Sequence, residues 1–139
     1  MDANHFADNK PFAEEGYNLM GAAFEVHREL GSGLLEEIYQ EALELELVIR
    51  SIPFNAKEQL KVFYKGTELK KRYISDLFLH GKIAIELKAL SALTESHEAQ
   101  LVNYLRLSKS PVGYLINFGP VHQVQWKRFI LSEFITPMQ

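Results

Sequence analysis

The chain has 139 residues, of which 47% are hydrophobic and 24% are charged, a composition typical of a globular domain with its own core. It contains no cysteine, which excludes a disulfide framework and thiolate metal ligands and agrees with a reducing compartment. No apolar run approaches the roughly 20 residues that cross a bilayer, and the N-terminus lacks the apolar segment of a secretory signal. We therefore expect a cytoplasmic protein with no membrane partner.

The net charge of −3 argues mildly against a nucleic-acid partner, but the charges are unevenly distributed. Between Lys57 and Lys88 there are eight bases and four acids, whereas between Glu14 and Glu46 there are one base and nine acids. A basic strand region is able to hold a phosphate backbone. Lysines that protect a solvated sheet edge give the same pattern, so both interpretations stay open.

Turn residues and hydrophobic periodicity divide the chain into eight elements after a polar stretch, residues 1–11, which we expect to be a flexible tail. Three helices are predicted: 12–30, 34 to near Pro53, and 94–107. Five strands are predicted: 58–64, 67–79, 82–88, 112–118 and 121–131. The order α-α-β-β-β-α-β-β predicts a single α/β domain over residues 12–139, with a central mixed sheet of about five strands flanked by helices.

Each of the first two helices carries an apolar stripe. In the first helix the stripe has a spacing of three to four residues and consists of Tyr17, Met20, Phe24 and His27. In the second helix the positions i, i+3 and i+4 are apolar: Leu35, Ile38, Ala42, Leu45 and Ile49. The spacing in the first helix indicates an amphipathic helix, and we expect the stripe of the second helix to face the core.

The segment 83–88, Ile-Ala-Ile-Glu-Leu-Lys, reads as a buried strand that ends in two charged residues. Successive side chains of a strand alternate between faces, so Glu86 and Lys88 share one face. Charges at the end of an apolar strand are costly to bury unless each has a partner. Asp76 interrupts the preceding apolar strand, and we predict that these three residues form one site. The alternative is a plain surface ion pair between Glu86 and Lys88.

Two carboxylates and a lysine at the ends of neighbouring strands are the groups that a metal-dependent phosphodiester hydrolase needs. Mg²⁺ usually takes one or two carboxylates together with waters and the substrate, and a bound metal polarises the phosphate and generates hydroxide near pH 7. Asp76 and Glu86 would supply the carboxylates. Lys88 would orient the attacking water and offset the developing negative charge.

The turn between the two strands sets a condition on this site. A two-residue turn at His80-Gly81 would pair Asp76 with Ile85 and place Asp76 on the opposite face from Glu86. We therefore predict an odd-length loop, such as residues 80–82, or a β-bulge between the two carboxylates.

The segment Gly33-Leu34-Leu35-Glu36-Glu37-Ile38-Tyr39 fits a Gly-x-x-Glu-x-x-Tyr signature. With it, the chain resembles the GxxExxY protein family, a branch of the PD-(D/E)XK nuclease superfamily. The resemblance runs from about Tyr17 to Phe129 and includes the strands of Asp76 and Glu86 as well as two further segments, 100–104 and 113–119. It implies a restriction-endonuclease-like core and a Mg²⁺- or Mn²⁺-dependent nuclease with nucleic acid as its partner, DNA being favoured over RNA.

The resemblance also implies a role for each matching residue of the metal site. Asp76 and Glu86 resemble the metal-binding carboxylates, with the backbone carbonyl of Leu87 as a further ligand, and Lys88 resembles the catalytic lysine. Glu36 resembles the helix glutamate that some helicase-linked exonucleases of the superfamily add to the metal cluster. An acid in the first turn of a helix is also favoured by the helix dipole alone, so both interpretations of Glu36 stay open.

Gln100 and Tyr104 match the Gln-x-x-x-Tyr motif of the same exonucleases. Because they lie four residues apart, they share one helix face and are candidates for contact with phosphate or the scissile nucleotide. A hydrogen bond from the helix to the sheet would explain them equally well. Ser75 departs from the superfamily pattern, which has a proline before the aspartate.

Two other functions are compatible with these residues. The first is a catalytically silent module that keeps the nuclease fold and binds nucleic acid or another protein, with a homo-oligomer as one arrangement. The overall acidity and the small size favour it, whereas the complete set of Asp76, Glu86 and Lys88 argues against it. The second is a phosphatase that hydrolyses small phosphate esters with the same ligands.

Overall fold

The structure is a computed structural model that describes residues 11–135; most of the predicted flexible tail, residues 1–10, lies outside the described residues. The elements are α1 Ala13–Leu30, α2 Glu36–Ile49, β1 Asn55–Tyr64, β2 Thr67–Leu79, β3 Ile83–Lys88, α3 Glu95–Ser108, β4 Val112–Asn117, β5 Gln125–Ile130 and a 3₁₀ turn Ser132–Phe134. The predicted order of helices and strands is confirmed. The last strand begins later than expected because residues 120–123 form a bend.

The five strands form one mixed sheet in the order β1-β2-β3-β4-β5. Strands β1, β2 and β3 are antiparallel neighbours, β3 and β4 are parallel, and β4 and β5 are antiparallel. Helix α3 connects the parallel pair, since parallel strands need a crossover connection. Within residues 11–135, no helix is both long and apolar enough to cross a membrane.

Each face of the sheet is covered by an apolar core. Ile83, Ile85 and Leu87 of β3 point to the face covered by α1 and α2, whereas Ala84 points to the face covered by α3. Strand β4 is buried over its whole length, which is typical of a central strand covered on both sides. By the alternation of β3, Glu86 and Lys88 therefore belong to the α3 side of the sheet.

The predicted core stripe of α2 is wrong. Three of its members are largely exposed, at 69% for Leu35, 60% for Leu45 and 65% for Ile49. The buried residues of α2 follow a different line along the helix: Tyr39, Gln40, Leu43 and Leu47. The large Tyr39 ring stacks on Phe118, with a centroid distance of 4.8 Å and an interplanar angle of 4°, and this contact turns the helix so that the predicted stripe faces solvent.

Helix α1 is amphipathic as predicted, but only two of the four residues on its apolar spacing are buried. Met20 and His27 are buried, but Tyr17 is 81% exposed and Phe24 is 47% exposed. Small and aliphatic residues fill the face that packs inward: Leu19, Ala22, Ala23 and Val26. His27 lies at the end of this face, where its Nε2 is 2.8 Å from the carbonyl oxygen of Pro120.

Candidate active site

The loop between β2 and β3 has three residues, His80, Gly81 and Lys82, as the sequence predicts. Leu77 pairs with Ile85 and Leu79 with Ile83. Extended by one residue, this register would place Asp76 opposite Glu86, but the backbone pairing of the two strands ends at Leu77 and Ile85. His80 and Gly81 have φ values of 56° and 66°, which form the tight connection between the strands.

On the N-terminal side of Leu77, β2 no longer pairs with β3 through its backbone. Side chains of β2 form hydrogen bonds with the backbone of β3 there instead. The hydroxyl of Ser75 accepts a hydrogen bond from the amide of Ile85 at 3.1 Å and donates one to the carbonyl of Leu77 at 2.5 Å. Asp76 Oδ2 accepts a hydrogen bond from the amide of Leu87 at 2.7 Å. The buried Ser75, which replaces the proline of the superfamily pattern, thus helps to fix the strand where Asp76 lies.

The other carboxylate oxygen of Asp76 is paired with Lys57, a residue that the sequence analysis did not assign to the site. The distance from Lys57 Nζ to Asp76 Oδ1 is 2.6 Å, and the Asp76 side chain is only 13% exposed. The pairing of Ala56 with Leu77 and of Glu58 with Ser75 places Lys57 directly opposite Asp76. No motif in the sequence marks this lysine, because its position depends on the register of β1 against β2.

Glu86 is held by Tyr73, whose hydroxyl donates a hydrogen bond of 2.8 Å to Glu86 Oε2. Burial, together with the charge of Asp76, raises the pKa of Glu86 to about 7, although the hydrogen bond from Tyr73 and the charge of Lys88 oppose this shift. Burial, with the charge of Glu86, raises the pKa of Tyr73 as well. Glu86 therefore lies close enough to Asp76 for the charge of Asp76 to contribute to its raised pKa.

Glu36 lies in the first turn of α2 and faces the same group of charges. Burial, followed by the charge of Asp76, raises the pKa of Glu36, while Lys88 and Lys57 lower it. However, within residues 11–135 no three histidine, aspartate or glutamate side chains lie close enough to hold a metal ion together. Lys88 is half-buried, and it takes part in none of the ion pairs among the described residues.

The Gly-x-x-Glu-x-x-Tyr segment is a structural unit that presents Glu36 to the site. Gly31 and Gly33 have φ values of 75° and 90°, which glycine adopts without strain, and they form the turn before α2. The hydroxyl of Tyr39 donates a hydrogen bond to the carbonyl of Gly31 at 2.6 Å and accepts one from the amide of Leu34 at 3.3 Å. Tyr39 thus fastens the turn to the helix.

Gln40 connects the same helix to the strand of Asp76. Its Nε2 donates hydrogen bonds to the backbone carbonyl of Asp76 at 2.9 Å and to Glu44 Oε2 at 2.8 Å. The sequence analysis missed Gln40 because its partner lies 36 residues away in the chain. The only signal in the sequence is that Gln40 directly follows Tyr39, the last residue of the Gly-x-x-Glu-x-x-Tyr segment.

Gln100 and Tyr104 line one side of α3, together with Ser96, Ala99, Asn103 and Leu107, in a shallow groove of about 450 Å³. Gln100 is exposed and Tyr104 is half-buried. The ring of Tyr104 stacks on that of Tyr73, with a centroid distance of 4.3 Å and an interplanar angle of 5°. Through this stack, the groove residue Tyr104 contacts the residue that holds Glu86.

Comparison with known proteins agrees with this fold. The sequence model of the PD-(D/E)XK nuclease superfamily matches residues 13–129, and the chain therefore belongs to this superfamily. No curated protein matches the chain.

Among solved structures, the chain is similar to one described as "Crystal structure of SSO0001", with a TM-score of 0.53 and 20% sequence identity. The match covers 68% of this chain and 48% of that one, so the chain spans about half the length of that protein. At this identity the similarity shows the fold alone. It confirms the predicted restriction-endonuclease-like core.

Proposed function

We propose that this protein is a metal-dependent nuclease of the GxxExxY branch, with one nuclease domain over residues 12–139, that hydrolyses phosphodiester bonds in DNA in preference to RNA. The observation that supports the proposal most directly is the contact between Asp76 and the end of β3, where Asp76 Oδ2 accepts a hydrogen bond from the amide of Leu87, the residue between Glu86 and Lys88. Membership of a nuclease superfamily supports the same class of reaction.

The two carboxylates have the character of a site for a divalent cation. The pKa of Glu86 is raised to about 7 by burial and by the negative charge of Asp76, and a divalent cation would favour the ionised form of both side chains. Mg²⁺ or Mn²⁺ would be held by Asp76 and Glu86, with Glu36 and the carbonyl of Leu87 as further ligands. When bound, the metal would polarise the phosphate and lower the pKa of a water molecule.

The side chains of the site have separate tasks in this proposal. Lys88 Nζ would donate a hydrogen bond to the attacking water and offset the negative charge that develops on the phosphate oxygens. Tyr73 keeps Glu86 Oε2 in a fixed position through its 2.8 Å hydrogen bond. The amide of Leu87 does the same for Asp76 Oδ2. Both carboxylates are therefore oriented by neighbours on the strands before any ligand binds.

The hairpin of β1 and β2 supports a nucleic-acid substrate. Between residues 57 and 72 it has six bases and two acids, and the lysines farther from the site are exposed: Lys61, Lys65, Lys70 and Lys71. Exposed cations of this density attract a phosphate backbone. Gln100 and Tyr104 of the α3 groove would contact phosphate or the nucleotide at the cleavage position.

The test is metal-dependent cleavage of single-stranded DNA, double-stranded DNA and RNA, with a small phosphate ester as a fourth substrate. Asp76→Ala and Lys88→Ala should each lower the rate at least about 100-fold, the usual effect of removing one group that stabilises the transition state. Lys127→Ala, an exposed lysine of β5 that lies outside both the candidate site and the basic hairpin, is the matched control. Cleavage that survives both site substitutions would contradict the mechanism, and turnover of the small ester alone would indicate a phosphatase.

A catalytically silent binding module is the second candidate. Two observations favour it: Lys57 already occupies Asp76 Oδ1, and no group of three potential metal ligands is assembled among residues 11–135. Calorimetric titration with millimolar Mn²⁺ separates the two candidates. Absence of metal binding favours the silent module, whereas metal binding with cleavage favours the nuclease.

A further inference from the structure

Lys57 has a backbone conformation that is unusual for its position. Six non-glycine residues between 11 and 135 have a positive φ, and Lys57, at 53°, is the only one of them inside a strand. A left-handed residue other than glycine is strained and persists only where the surrounding structure holds it. Here its neighbours Ala56 and Glu58 remain paired with β2, and the side chain of Lys57 reaches Asp76.

The ammonium group of Lys57 lies among the three acids of the candidate metal site. It is 2.6 Å from Asp76 Oδ1. Burial lowers the pKa of Lys57, but the hydrogen bond and charge of Asp76, with smaller contributions from Glu36 and Glu86, outweigh burial and raise it. Among residues 11–135, Lys57 is the base that forms an ion pair with Asp76.

We propose that Lys57 is an internal counter-ion of the candidate metal site, which holds Asp76 in the metal-free protein and must leave Asp76 Oδ1 when a divalent metal ion binds. This inference rests on the proposed metal site. Asp76 Oδ2 accepts a hydrogen bond from the amide of Leu87, so Oδ1 is the oxygen with which a metal would bind. A metal ion and an ammonium group, both positive, exclude each other from one carboxylate oxygen.

Lys57 is therefore expected to have two opposite effects: it stabilises the metal-free fold, and it weakens metal binding. Lys57 neutralises a carboxylate that is only 13% exposed, and it thereby stabilises the fold when no metal is present. It also competes with the metal and lowers the affinity. The Lys57 side chain is 56% exposed. After displacement its ammonium group would therefore be solvated by water, with little loss of free energy.

The first experiment compares Lys57→Met with Lys61→Met, which removes the same charge from an exposed position of the same strand. Titration with Mn²⁺ should give a dissociation constant about two- to five-fold lower for Lys57→Met than for the wild type, the range that a partly exposed ion pair is worth. Lys61→Met should stay within about 1.5-fold of the wild type. An unchanged constant for Lys57→Met would overturn the proposal.

Thermal unfolding of the same variants separates competition from a merely structural role. Lys57→Met should unfold at a lower temperature than the wild type in a chelator, because Asp76 loses its partner, and the difference should shrink or reverse in 10 mM Mg²⁺. A lysine with only a structural role would lower the unfolding temperature equally with and without Mg²⁺. That result would contradict the proposal.

Nuclear magnetic resonance of the wild-type lysine side chains tests displacement directly and does not depend on the stability of any variant. The resonance of the Lys57 ammonium group, assigned with Lys57→Arg, should shift when Mg²⁺ is added, whereas that of Lys61 should not. A Lys57 resonance that does not move at saturating Mg²⁺ would overturn the proposal even if the protein cleaves DNA. If the wild type neither binds metal nor cleaves, the proposed metal site fails together with the counter-ion.

Discussion

Replacing Glu86 by glutamine should remove a pH dependence of stability that the structure locates at this residue. The carboxyl group is largely buried beside Asp76, and both features raise its pKa from the usual 4.5 to about 7. Glutamine has nearly the same shape, keeps an oxygen that accepts the hydrogen bond from Tyr73, and does not ionise. The substitution therefore changes the charge with little change in packing.

The raised pKa of Glu86 means that this residue makes the protein less stable as the pH rises. The folded protein holds the Glu86 proton more tightly than the unfolded chain does, so its contribution to the free energy of unfolding is fully present below about pH 4.5. It is lost as the pH rises to about 7. At about 1.4 kcal/mol per pKa unit, a shift of this size corresponds to a loss on the order of 3 kcal/mol. Above pH 7, Glu86→Gln should be more stable than the wild type by about 2 to 3 kcal/mol.

Urea unfolding at a series of pH values between 4 and 8, in the presence of a chelator, measures this effect. The quantity to plot is the free energy of unfolding of Glu86→Gln minus that of the wild type, which should rise through the interval from pH 4.5 to 7. Glu41→Gln, the same substitution at an exposed position of α2, is the control for the loss of one carboxylate. A flat difference for Glu86→Gln would show that burial and Asp76 do not shift its pKa as the structure indicates.

Three further changes test the fold and the basic hairpin. Tyr39→Phe keeps the ring stack but removes the hydroxyl that holds the turn before α2 at 2.6 Å, and chemical denaturation should show a loss of about 1 to 2 kcal/mol. Gly119→Ala should cost at least about 2 kcal/mol in the same assay, because its Cβ would lie 1.8 Å from the backbone oxygen of Leu90; a cost below about 0.5 kcal/mol would contradict this close contact. Lys70→Gln with Lys71→Gln should reduce the slope of log affinity for duplex DNA against log salt by up to about 1.8, or 0.9 for each lost phosphate contact. Fluorescence anisotropy in a chelator measures this slope, and an unchanged slope would exclude this part of the hairpin from the DNA contact.

Local information in the sequence was sufficient for the element order and for the hairpin that carries the two carboxylates. Glycine and proline positions mark the turns, and the change from period two to period 3.6 separates strands from helices. The prediction of an odd-length loop, such as residues 80–82, or a β-bulge combined the alternation of side chains along a strand with the hypothesis that Asp76 and Glu86 form one site. The first of these alternatives is observed, since β2 ends at Leu79 and β3 begins at Ile83.

The packing face of α2 was not predictable in the same way. The helix has two apolar lines, one through Leu35 and Ile49 and another through Tyr39 and Leu47, and periodicity alone gives no reason to choose between them. The second line is buried because Tyr39 both stacks on Phe118 and closes the turn before the helix. Both contacts depend on parts of the fold that lie outside the helix.

The sequence by itself thus determined the order of the elements and the short hairpin whose two strands carry Asp76 and Glu86. Only the tertiary structure decided which groups surround these carboxylates. The register of β1 brings Lys57 to Asp76, and the stack of Tyr73 on Tyr104 connects Glu86 to α3. Ionisation depends on burial and on charges from distant segments, and for that reason the raised pKa of Glu86 and the counter-ion of Asp76 follow from the fold.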